Sequence, residues 1–133
     1  MAGSIKDLSK YRYERSSEEL ENAKTMLESG KFKLALNRSY YSIFHGMRAV
    51  NVLDEFDSSK HSGVIAHFNQ YHVKTGDFPK EATRIIRTSS EMREHADYED
   101  FFTASRRDAE EQVQKAQTFH DFISSYLQKK GIL

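Results

Sequence analysis

Apolar residues in the first third of the chain recur three and four positions apart, the spacing that places side chains on one face of a helix. A long helix is therefore predicted to begin near Ser4 and to end at Gly30, because glycine readily adopts the left-handed conformation that closes a last helical turn. A later start, capped reciprocally by Ser16 and Glu19, is the alternative. The apolar stripe of this helix consists of Leu20, Ala23, Met26 and Leu27.

A second helix is predicted over about residues 31–53, and it is apolar around more than half of its circumference. A helix covered in this way lies at the centre of a bundle or against a second subunit. Polar side chains beside this surface are therefore expected to be partly buried. The apolar positions are Phe32, Leu34, Ala35, Tyr40, Tyr41, Ile43, Phe44, Met47, Val50 and Leu53.

Three further helices follow from the same periodicity. A connection rich in turn-forming residues precedes Pro79, which suits the first position of a helix because no N–H is needed there. The period breaks again over residues 96–102, where charged residues accumulate. The three helices are predicted over about residues 61–71, over about residues 80–94, and from Thr103 or Ser105 to near the end of the chain.

Composition agrees with a helical bundle. Apolar residues make up 38% of the 133 residues, and only one Pro and six Gly interrupt the pattern. This length suits a single domain over residues 1–133 with a core of its own. We therefore predict an all-α fold, an up-and-down bundle of four to five helices. The absence of cysteine excludes disulfides, thiolate nucleophiles and cysteine-bound metal centres.

The charges of the chain balance, with 20 Lys and Arg against 20 Asp and Glu. Such a chain generates no long-range field that gathers nucleic acid, so any RNA contact has to come from a local patch. No segment has the pattern of a signal peptide or a membrane span, so a cytoplasmic protein without a membrane partner is expected. One candidate patch is a strip of Arg84, Arg87, Arg93, Arg106 and Arg107, which neighbouring acidic residues could neutralise.

One pair of residues stands out chemically. Arg38 and His45 are seven positions apart in the second helix, and seven steps of about 100° complete two turns less about 20°. The two side chains should share a face, with Tyr41 between them. A guanidinium that stays charged and an imidazole that titrates near neutrality suit chemistry on a phosphodiester. The alternative is a solvated Arg38 and a hydrogen-bonded interior His45.

The other histidines carry weaker signals. His61, His67 and His72 are six and five residues apart, and neither spacing aligns ligands on one α-helix as three or four would. A metal site is therefore not predicted. His95 is expected to form a hydrogen bond that stabilises the following loop, and His120, on the inward row of the last helix, a hydrogen bond within the core.

Residues 37–45 read Asn-Arg-Ser-Tyr-Tyr-Ser-Ile-Phe-His. This segment resembles the Asn-Arg-x-Tyr-Tyr-x-x-Phe-His signature in the second helix of HEPN domains, a prokaryotic helical family. Two further elements agree: a first helix that ends in Leu-x-x-Gly at residues 27–30, and an Arg-x-x-Ala-Asp-Tyr element at residues 93–98. The resemblance extends from about Ile5 to Leu127.

The resemblance implies a homodimeric helical bundle and, as in many HEPN domains, a metal-independent endoribonuclease built on an Arg-x(4–6)-His motif. That motif falls on Arg38 and His45, with six residues between them. In the implied mechanism the imidazole helps a ribose 2′-OH attack phosphorus and the guanidinium holds the phosphorane oxygens, which leaves a 2′,3′-cyclic phosphate and a 5′-OH. No cofactor is implied. Since one chain supplies one such histidine, a two-fold dimer would bring two copies of each residue to one cleft.

Further residues are candidates for binding the RNA substrate. Asn37 and Tyr41 adjoin the pair on the second helix and could orient the substrate or the imidazole. The later element contributes Arg93, Asp97 and Tyr98 as substrate-binding candidates. Ordinary packing or hydrogen bonding is the alternative for Asn37 and Tyr41.

Some HEPN toxins pair with a small nucleotidyltransferase antitoxin, and some of these have Arg-x(4)-His-x-Tyr with a modifiable tyrosine. Met47 stands at that position here, so control by nucleotidylation is not expected, although a nucleotidyltransferase partner is still open. The leading hypothesis is a homodimeric HEPN ribonuclease or toxin-like RNA-cleaving protein. The alternative is a non-catalytic HEPN module that binds a nucleotidyltransferase, a nucleotide or RNA through the same helix face.

Overall fold

The computed structural model describes residues 3–133, and most of them are helical. The fold is the expected all-α up-and-down bundle, and no strand occurs among the described residues. Over the same residues, no helix combines the length and the apolarity needed to cross a bilayer. The helices are α1 (Ser4–Glu28), α2 (Phe32–Asn51), α3 (His61–Phe68), α4 (Glu81–Tyr98) and α5 (Arg106–Lys129), with a 3-10 turn at Val52–Asp54 and a π-helical turn at Asn69–Val73.

α1 is the longer of the two helices that the sequence allowed. It runs unbroken through Ser16 and Glu19, which therefore do not cap a later start. Both residues are buried, and the Ser16 hydroxyl donates to the Ser42 carbonyl oxygen at 2.7 Å, a contact that joins α1 to α2. Gly30 follows the helix with a φ of 76°, as expected for the residue at which the chain reverses.

α2 occupies the centre of the bundle and packs against α1, α3, α4 and α5. Its inward residues include Ile43, Met47 and Val50, each 1% exposed or less. Burying side chains of this size contributes about 1.5–3 kcal/mol each, before the entropic cost of ordering them. The broad apolar face predicted from the sequence is therefore the centre of the core.

A glycine in the middle of α2 lets α5 approach closely. A Cβ atom at Gly46 would lie 3.2 Å from Cγ1 of Ile123 and 3.6 Å from a ring carbon of Phe119. Both of these α5 residues are buried. Glycine within a helix costs about 1 kcal/mol relative to alanine, and the packing of α2 against α5 offsets that cost.

α4 continues one turn beyond its predicted end and stops at Tyr98. Two pairs one turn apart support these last residues: Arg93 lies 3.6 Å from Asp97, and His95 contacts Glu99. The residues in the last turn of α4 are exposed or partly exposed. The apolar periodicity of the sequence therefore ends before the helix does.

The connection between α3 and α4 also departs from the prediction. α3 ends at Phe68, and the chain continues as a π-helical turn instead of as α-helix to residue 71. α4 begins at Glu81, so Pro79 lies in the turn before the helix and not at its first position. The Pro79 carbonyl oxygen accepts the Ala82 N–H at 2.9 Å, which starts the helical hydrogen bonding from outside the helix.

Ser105 caps α5. Its hydroxyl accepts the backbone N–H of Asp108 at 3.0 Å, and the Asp108 carboxylate accepts the backbone N–H of Ser105 at 3.4 Å. These reciprocal bonds form a capping box. Of the two predicted caps, Ser105 is the one used, and Thr103 lies outside the helix.

We expect Ser105→Ala to lower the free energy of unfolding by about 1 kcal/mol, because the variant loses the hydroxyl acceptor at the start of α5. Urea denaturation followed by circular dichroism measures this change. Thr103→Ala is the matched control and should change the free energy by less than about 0.5 kcal/mol. Equal losses in the two variants would contradict the assignment of the cap.

Candidate functional site

Arg38, Tyr41 and His45 lie along one face of α2, and we call these three residues the α2 row. The guanidinium carbon of Arg38 is 5.2 Å from the centre of the Tyr41 ring, and the ring centres of Tyr41 and His45 are 6.3 Å apart. The spatial arrangement predicted from the seven-residue spacing is therefore present. Arg38 and His45 are both partly exposed, so both ends of the row are open to solvent.

A buried carboxylate on α1 holds Arg38 in position. Glu19 is 5% exposed, and its Oε2 lies 2.6 Å from a terminal guanidinium nitrogen of Arg38. Glu19 also accepts a hydrogen bond from the Asn22 amide at 3.0 Å and lies 3.9 Å from Arg15. A carboxylate removed from water needs such partners, because an unpaired buried charge is strongly unfavourable. The ion pair thus fixes both the guanidinium and the contact between α1 and α2.

Asn37 and Asp97 extend this network from α2 to α4. The side-chain oxygen of Asn37 accepts a hydrogen bond from Nε of Arg38 at 2.8 Å, and a terminal nitrogen of Arg38 donates to the same oxygen. The Asn37 amide nitrogen donates to both carboxylate oxygens of Asp97, at 3.0 and 3.1 Å. Together with Glu19, side chains from three helices therefore orient Arg38.

Arg93 is buried, 7% exposed, and its charge lies over aromatic rings. Its guanidinium carbon is 4.7 Å from the centre of the Tyr40 ring, 5.9 Å from that of Tyr41 and 5.8 Å from that of Tyr98. Aromatic faces attract cations, so these contacts compensate the charge in part. Tyr98 is 73% exposed. The candidates from the Arg-x-x-Ala-Asp-Tyr element therefore adjoin the α2 row and do not form a separate site.

His45 lies where a neutral imidazole is favoured. The pKa of His45 is lowered from 6.5 to about 4, mainly because the ring is partly buried and next because the Arg15 guanidinium is nearby. The negative charge of Glu19 opposes this shift. Arg48 and Arg12 act in the same direction as Arg15. Among residues 3–133, no hydrogen-bond partner is found for this imidazole. The alternative of a hydrogen-bonded interior histidine therefore does not describe His45.

Arginines of α1 and α2 form a local cationic patch beside His45. The Asp57 carboxylate accepts two hydrogen bonds from Arg12, at 2.8 and 3.1 Å, and one from Arg48 at 2.8 Å. These hydrogen bonds hold the pKa of the Asp57 carboxyl below its ordinary value. Arg15 supplies a third guanidinium near the imidazole. The neutral chain thus has a positive patch next to the α2 row.

The predicted arginine strip along α4 and the start of α5 is interrupted. Arg93 is buried against aromatic rings and faces inward. Arg107 pairs with Glu111 one turn away, at 3.2 Å, and Arg106 lies over the Phe32 ring at 4.9 Å. The patch beside His45 is therefore the better-placed surface for a phosphate chain.

Sequence reasoning missed Glu19 as the partner of Arg38, and Arg12 and Arg15 as neighbours of His45. On α1 these three residues recur at spacings of three and four, which puts them in one stripe at the edge of the buried face. That stripe is the available signal in the sequence. Periodicity within α1 does not say which face of α2 the stripe meets.

Two other histidines have well-defined partners. His120 is buried as expected, and the hydroxyls of Ser16 and Ser17 each lie 3.1 Å from one of its ring nitrogens. His61, which the sequence grouped with His67 and His72 but gave no partner, lies with its Nδ1 2.7 Å from the hydroxyl of Tyr40. Through Tyr40 it adjoins the aromatic rings beneath Arg93, and it supports the site from α3.

His67 and His72 lie together, and the prediction that a five-residue spacing does not align them as ligands is wrong. Both Nε2 atoms contact Oδ2 of Asp54, at 2.9 and 2.6 Å. The π-helical turn at Asn69–Val73 accounts for this, since its wider turn brings residues five apart to one side. His61 does not belong to this group.

The fold and the α2 row together define the class of protein. A family model described as HEPN domain matches residues 9–126, which is most of the chain. The chain therefore belongs to the HEPN family.

Named relatives agree with this assignment. A UPF0332 protein of Thermotoga maritima is 32% identical over 118 residues, 89% of each chain. A candidate toxin of Methanocaldococcus jannaschii, MJ0605, is 33% identical over 116 residues, 87% of this chain and 86% of that protein. The crystal structure of TT1696 from Thermus thermophilus has a TM-score of 0.76 over 90% of this chain and 98% of that one. Its sequence identity is 17%, so this likeness shows the fold alone.

We expect the His45 imidazole to titrate with a midpoint near pH 4, well below the ordinary 6.5. Because the folded chain disfavours the charged imidazole, protonation favours unfolding, and this residue should reduce stability as the pH falls from about 6.5 towards 4. An NMR titration of the imidazole signals, assigned with a His45→Gln variant, measures the midpoint. A midpoint near 6.5 would contradict the partly buried, cationic surroundings described for this ring.

Proposed function

We propose that the protein is a metal-independent endoribonuclease of the toxin-like HEPN class that acts as a homodimer. The observation that carries the proposal is the α2 row, in which a fixed guanidinium and a neutral imidazole flank one tyrosine ring beside a cationic patch. Membership of the HEPN family supports RNA as the substrate class. The candidate toxin MJ0605 among the relatives supports a toxin-like role.

Arg38 is suited to binding a phosphate. A guanidinium has five N–H donors, and Asn37 and Glu19 accept three of them, which leaves two. The remaining donors lie one on each terminal nitrogen, and each can donate to a phosphate oxygen. Held in place by its neighbours, the guanidinium would stabilise the negative charge that develops on phosphorus-bound oxygens during the reaction.

His45 is suited to act as the general base. Its lowered pKa keeps the imidazole neutral at physiological pH, so a ring nitrogen can take the proton of a ribose 2′-OH. The 2′ oxygen then forms a bond to phosphorus, the bond from phosphorus to the 5′ oxygen breaks, and a 2′,3′-cyclic phosphate results. The departing 5′ oxygen takes up one proton and becomes a 5′-OH. A phosphate bound beside the imidazole would raise its pKa and make it a stronger base.

A homodimer would supply the second proton-transfer group. The α2 row of one chain has a single histidine, whereas the reaction needs both a base and an acid. A two-fold axis beside α2 would place second copies of Arg38 and His45 across the same cleft. The bound phosphate would raise the pKa of the second imidazole as well, so that this copy would carry a proton and deliver it to the 5′ oxygen.

A non-catalytic HEPN module is the second candidate function, and the ion pair between Glu19 and Arg38 is the observation that favours it. The 2.6 Å contact already compensates the positive charge of Arg38 within the chain, so a phosphate has to share the guanidinium with a buried carboxylate. Such a face would bind a nucleotidyltransferase antitoxin, a nucleotide or RNA without cutting. Met47, at the position of the modifiable tyrosine, is fully buried, so this partner would act without modifying that position.

Cleavage of single-stranded RNA in the presence of EDTA tests the proposal. We expect the wild-type protein to cut the RNA and to leave 2′,3′-cyclic phosphate ends. His45→Ala should lower the rate by about 10²–10⁴-fold because the base is lost. Arg38→Lys keeps a positive charge opposite Glu19 but removes the two-donor fork, and it should lower the rate by about 10²–10³-fold.

Two substitutions outside the α2 row serve as controls. Arg84→Ala removes an exposed arginine and His95→Ala a histidine on α4, and neither should change the rate. Circular dichroism and sedimentation check that all variants keep the fold and the oligomeric state. Equal cleavage by His45→Ala, Arg38→Lys and the wild type would reject the active site. RNA binding without cleavage by the wild type would select the binding module.

A further inference from the structure

A carboxylate and two imidazoles converge on one point outside the α2 row. Oδ2 of Asp54, at the end of the 3-10 turn that follows α2, lies 2.9 Å from Nε2 of His67 and 2.6 Å from Nε2 of His72. The three donor atoms all lie within 4.8 Å of one another. The His72 side chain is 4% exposed and that of His67 11%, whereas that of Asp54 is 36%. The group is therefore anchored in the protein and open on one side.

The π-helical turn creates this group. His67 and His72 are five residues apart, and on a regular α-helix five steps of about 100° would leave them about 140° apart. The turn instead closes with a hydrogen bond of 2.9 Å from the N–H of Lys74 to the carbonyl oxygen of Asn69, five residues earlier. Turns of this kind are rare and occur often at functional sites. Here the irregularity brings both Nε2 atoms to the same carboxylate.

A second carboxylate orients His72. Oδ2 of Asp77 lies 3.2 Å from Nδ1 of His72, so each ring nitrogen of this buried imidazole faces a carboxylate. A neutral imidazole has one N–H and can satisfy only one of them. A metal ion bound at Nε2 resolves the conflict, because Nδ1–H then donates to Asp77. A histidine that binds a metal through one ring nitrogen usually donates the N–H of the other nitrogen to an acceptor such as a carboxylate.

Aromatic rings hold the two imidazoles in place. The ring of His67 stacks on Phe56 with centres 4.1 Å apart, and His72 meets Tyr126 edge to face at 5.7 Å. The two histidines border a surface cleft of about 890 Å³, which gives a small ligand access to the group. The donors are thus oriented before any ion arrives.

We propose that Asp54, His67 and His72 bind one divalent transition-metal ion, for which zinc is the best match. Two imidazole nitrogens and a carboxylate oxygen are donors that zinc takes, and three protein ligands leave a fourth position for water. Magnesium and calcium prefer oxygen ligands alone. With bonds of about 2.0–2.1 Å, tetrahedral zinc needs donor atoms about 3.3 Å apart. Rotation of the half-exposed Asp54 side chain supplies part of that adjustment.

The ion would join the end of α2 to α3 and to the π-helical turn. Its ligands belong to segments that do not contribute to the α2 row, and this inference does not rest on the proposed ribonuclease activity. Binding to the folded chain alone would stabilise it and raise the temperature of unfolding. In this proposal the metal therefore stabilises the fold where α2, α3 and the π-helical turn meet.

Isothermal titration calorimetry of the tag-free full chain with zinc chloride, after EDTA treatment and dialysis, tests the proposal. We expect one Zn²⁺ per chain and no binding of Mg²⁺. Asp54→Asn should bind Zn²⁺ at least about 100-fold more weakly because a ligand charge is lost, and Asp77→Asn about 10–100-fold more weakly because the outer partner of His72 is lost. His95→Gln, which removes a histidine that contacts Glu99, is the matched control and should bind like the wild type.

Thermal unfolding provides a second measurement. Zinc should raise the unfolding temperature of the wild type and of His95→Gln, and it should leave that of Asp54→Asn unchanged. If Asp54→Asn does not fold, His67→Gln decides by the same criteria. Failure of the wild type to bind Zn²⁺, or equal affinity in the wild type and the ligand variant, would overturn the proposal.

Discussion

The candidate site depends on one buried interaction, the ion pair between Glu19 on α1 and Arg38 on α2. Removing two charges from water costs several kcal/mol per ion, and apolar residues in place of such a pair often leave a protein equally stable or more so. Stability is therefore a weak reason for this pair. Its definite effect is positional: it fixes a guanidinium at one end of the α2 row and fixes α1 against α2. Asn37 and Asp97 complete the alignment from the side of α4.

The Glu19 carboxylate also acts on His45, at the other end of the α2 row. Burial and the guanidinium of Arg15 lower the pKa of His45, and the charge of Glu19 opposes them. A chain with no net charge thus has a locally positive surface with a neutral imidazole at its edge. A phosphate chain is attracted to such a surface at short range without long-range steering. α1 and α2 together form this surface, and α2 is followed by the turn that contributes Asp54 to the proposed metal site.

Much of the fold could be predicted from the sequence, because helical periodicity and caps are properties of one segment at a time. The length of α1, the central place of α2, and the row of Arg38, Tyr41 and His45 all follow from spacing within a helix. Contacts between helices could not be predicted in this way. In the sequence, Glu19 is one of several polar residues along α1. Its role as the partner of Arg38 depends on how α1 packs against α2.

The histidines of α3 show the second limit of periodicity. The spacing of His67 and His72 argues against a shared site only if the helix is regular, and a π-helical turn changes the angle between them. No residue pattern in this segment signals that turn. Periodicity also places the end of α4 one turn too early. Ion pairs such as Arg93 with Asp97 continue the helix beyond the end of its apolar periodicity.

In the proposed function, the α2 row binds the phosphodiester of an RNA chain. An RNA with 2′-O-methyl riboses lacks the attacking hydroxyl, so it can occupy the site without being cut. An NMR titration with this RNA follows the Nε–H signal of Arg38 and the imidazole signals of His45. On this account both sets of signals shift together as the RNA saturates the protein. RNA binding that shifts signals elsewhere and leaves those of Arg38 and His45 unchanged would contradict it.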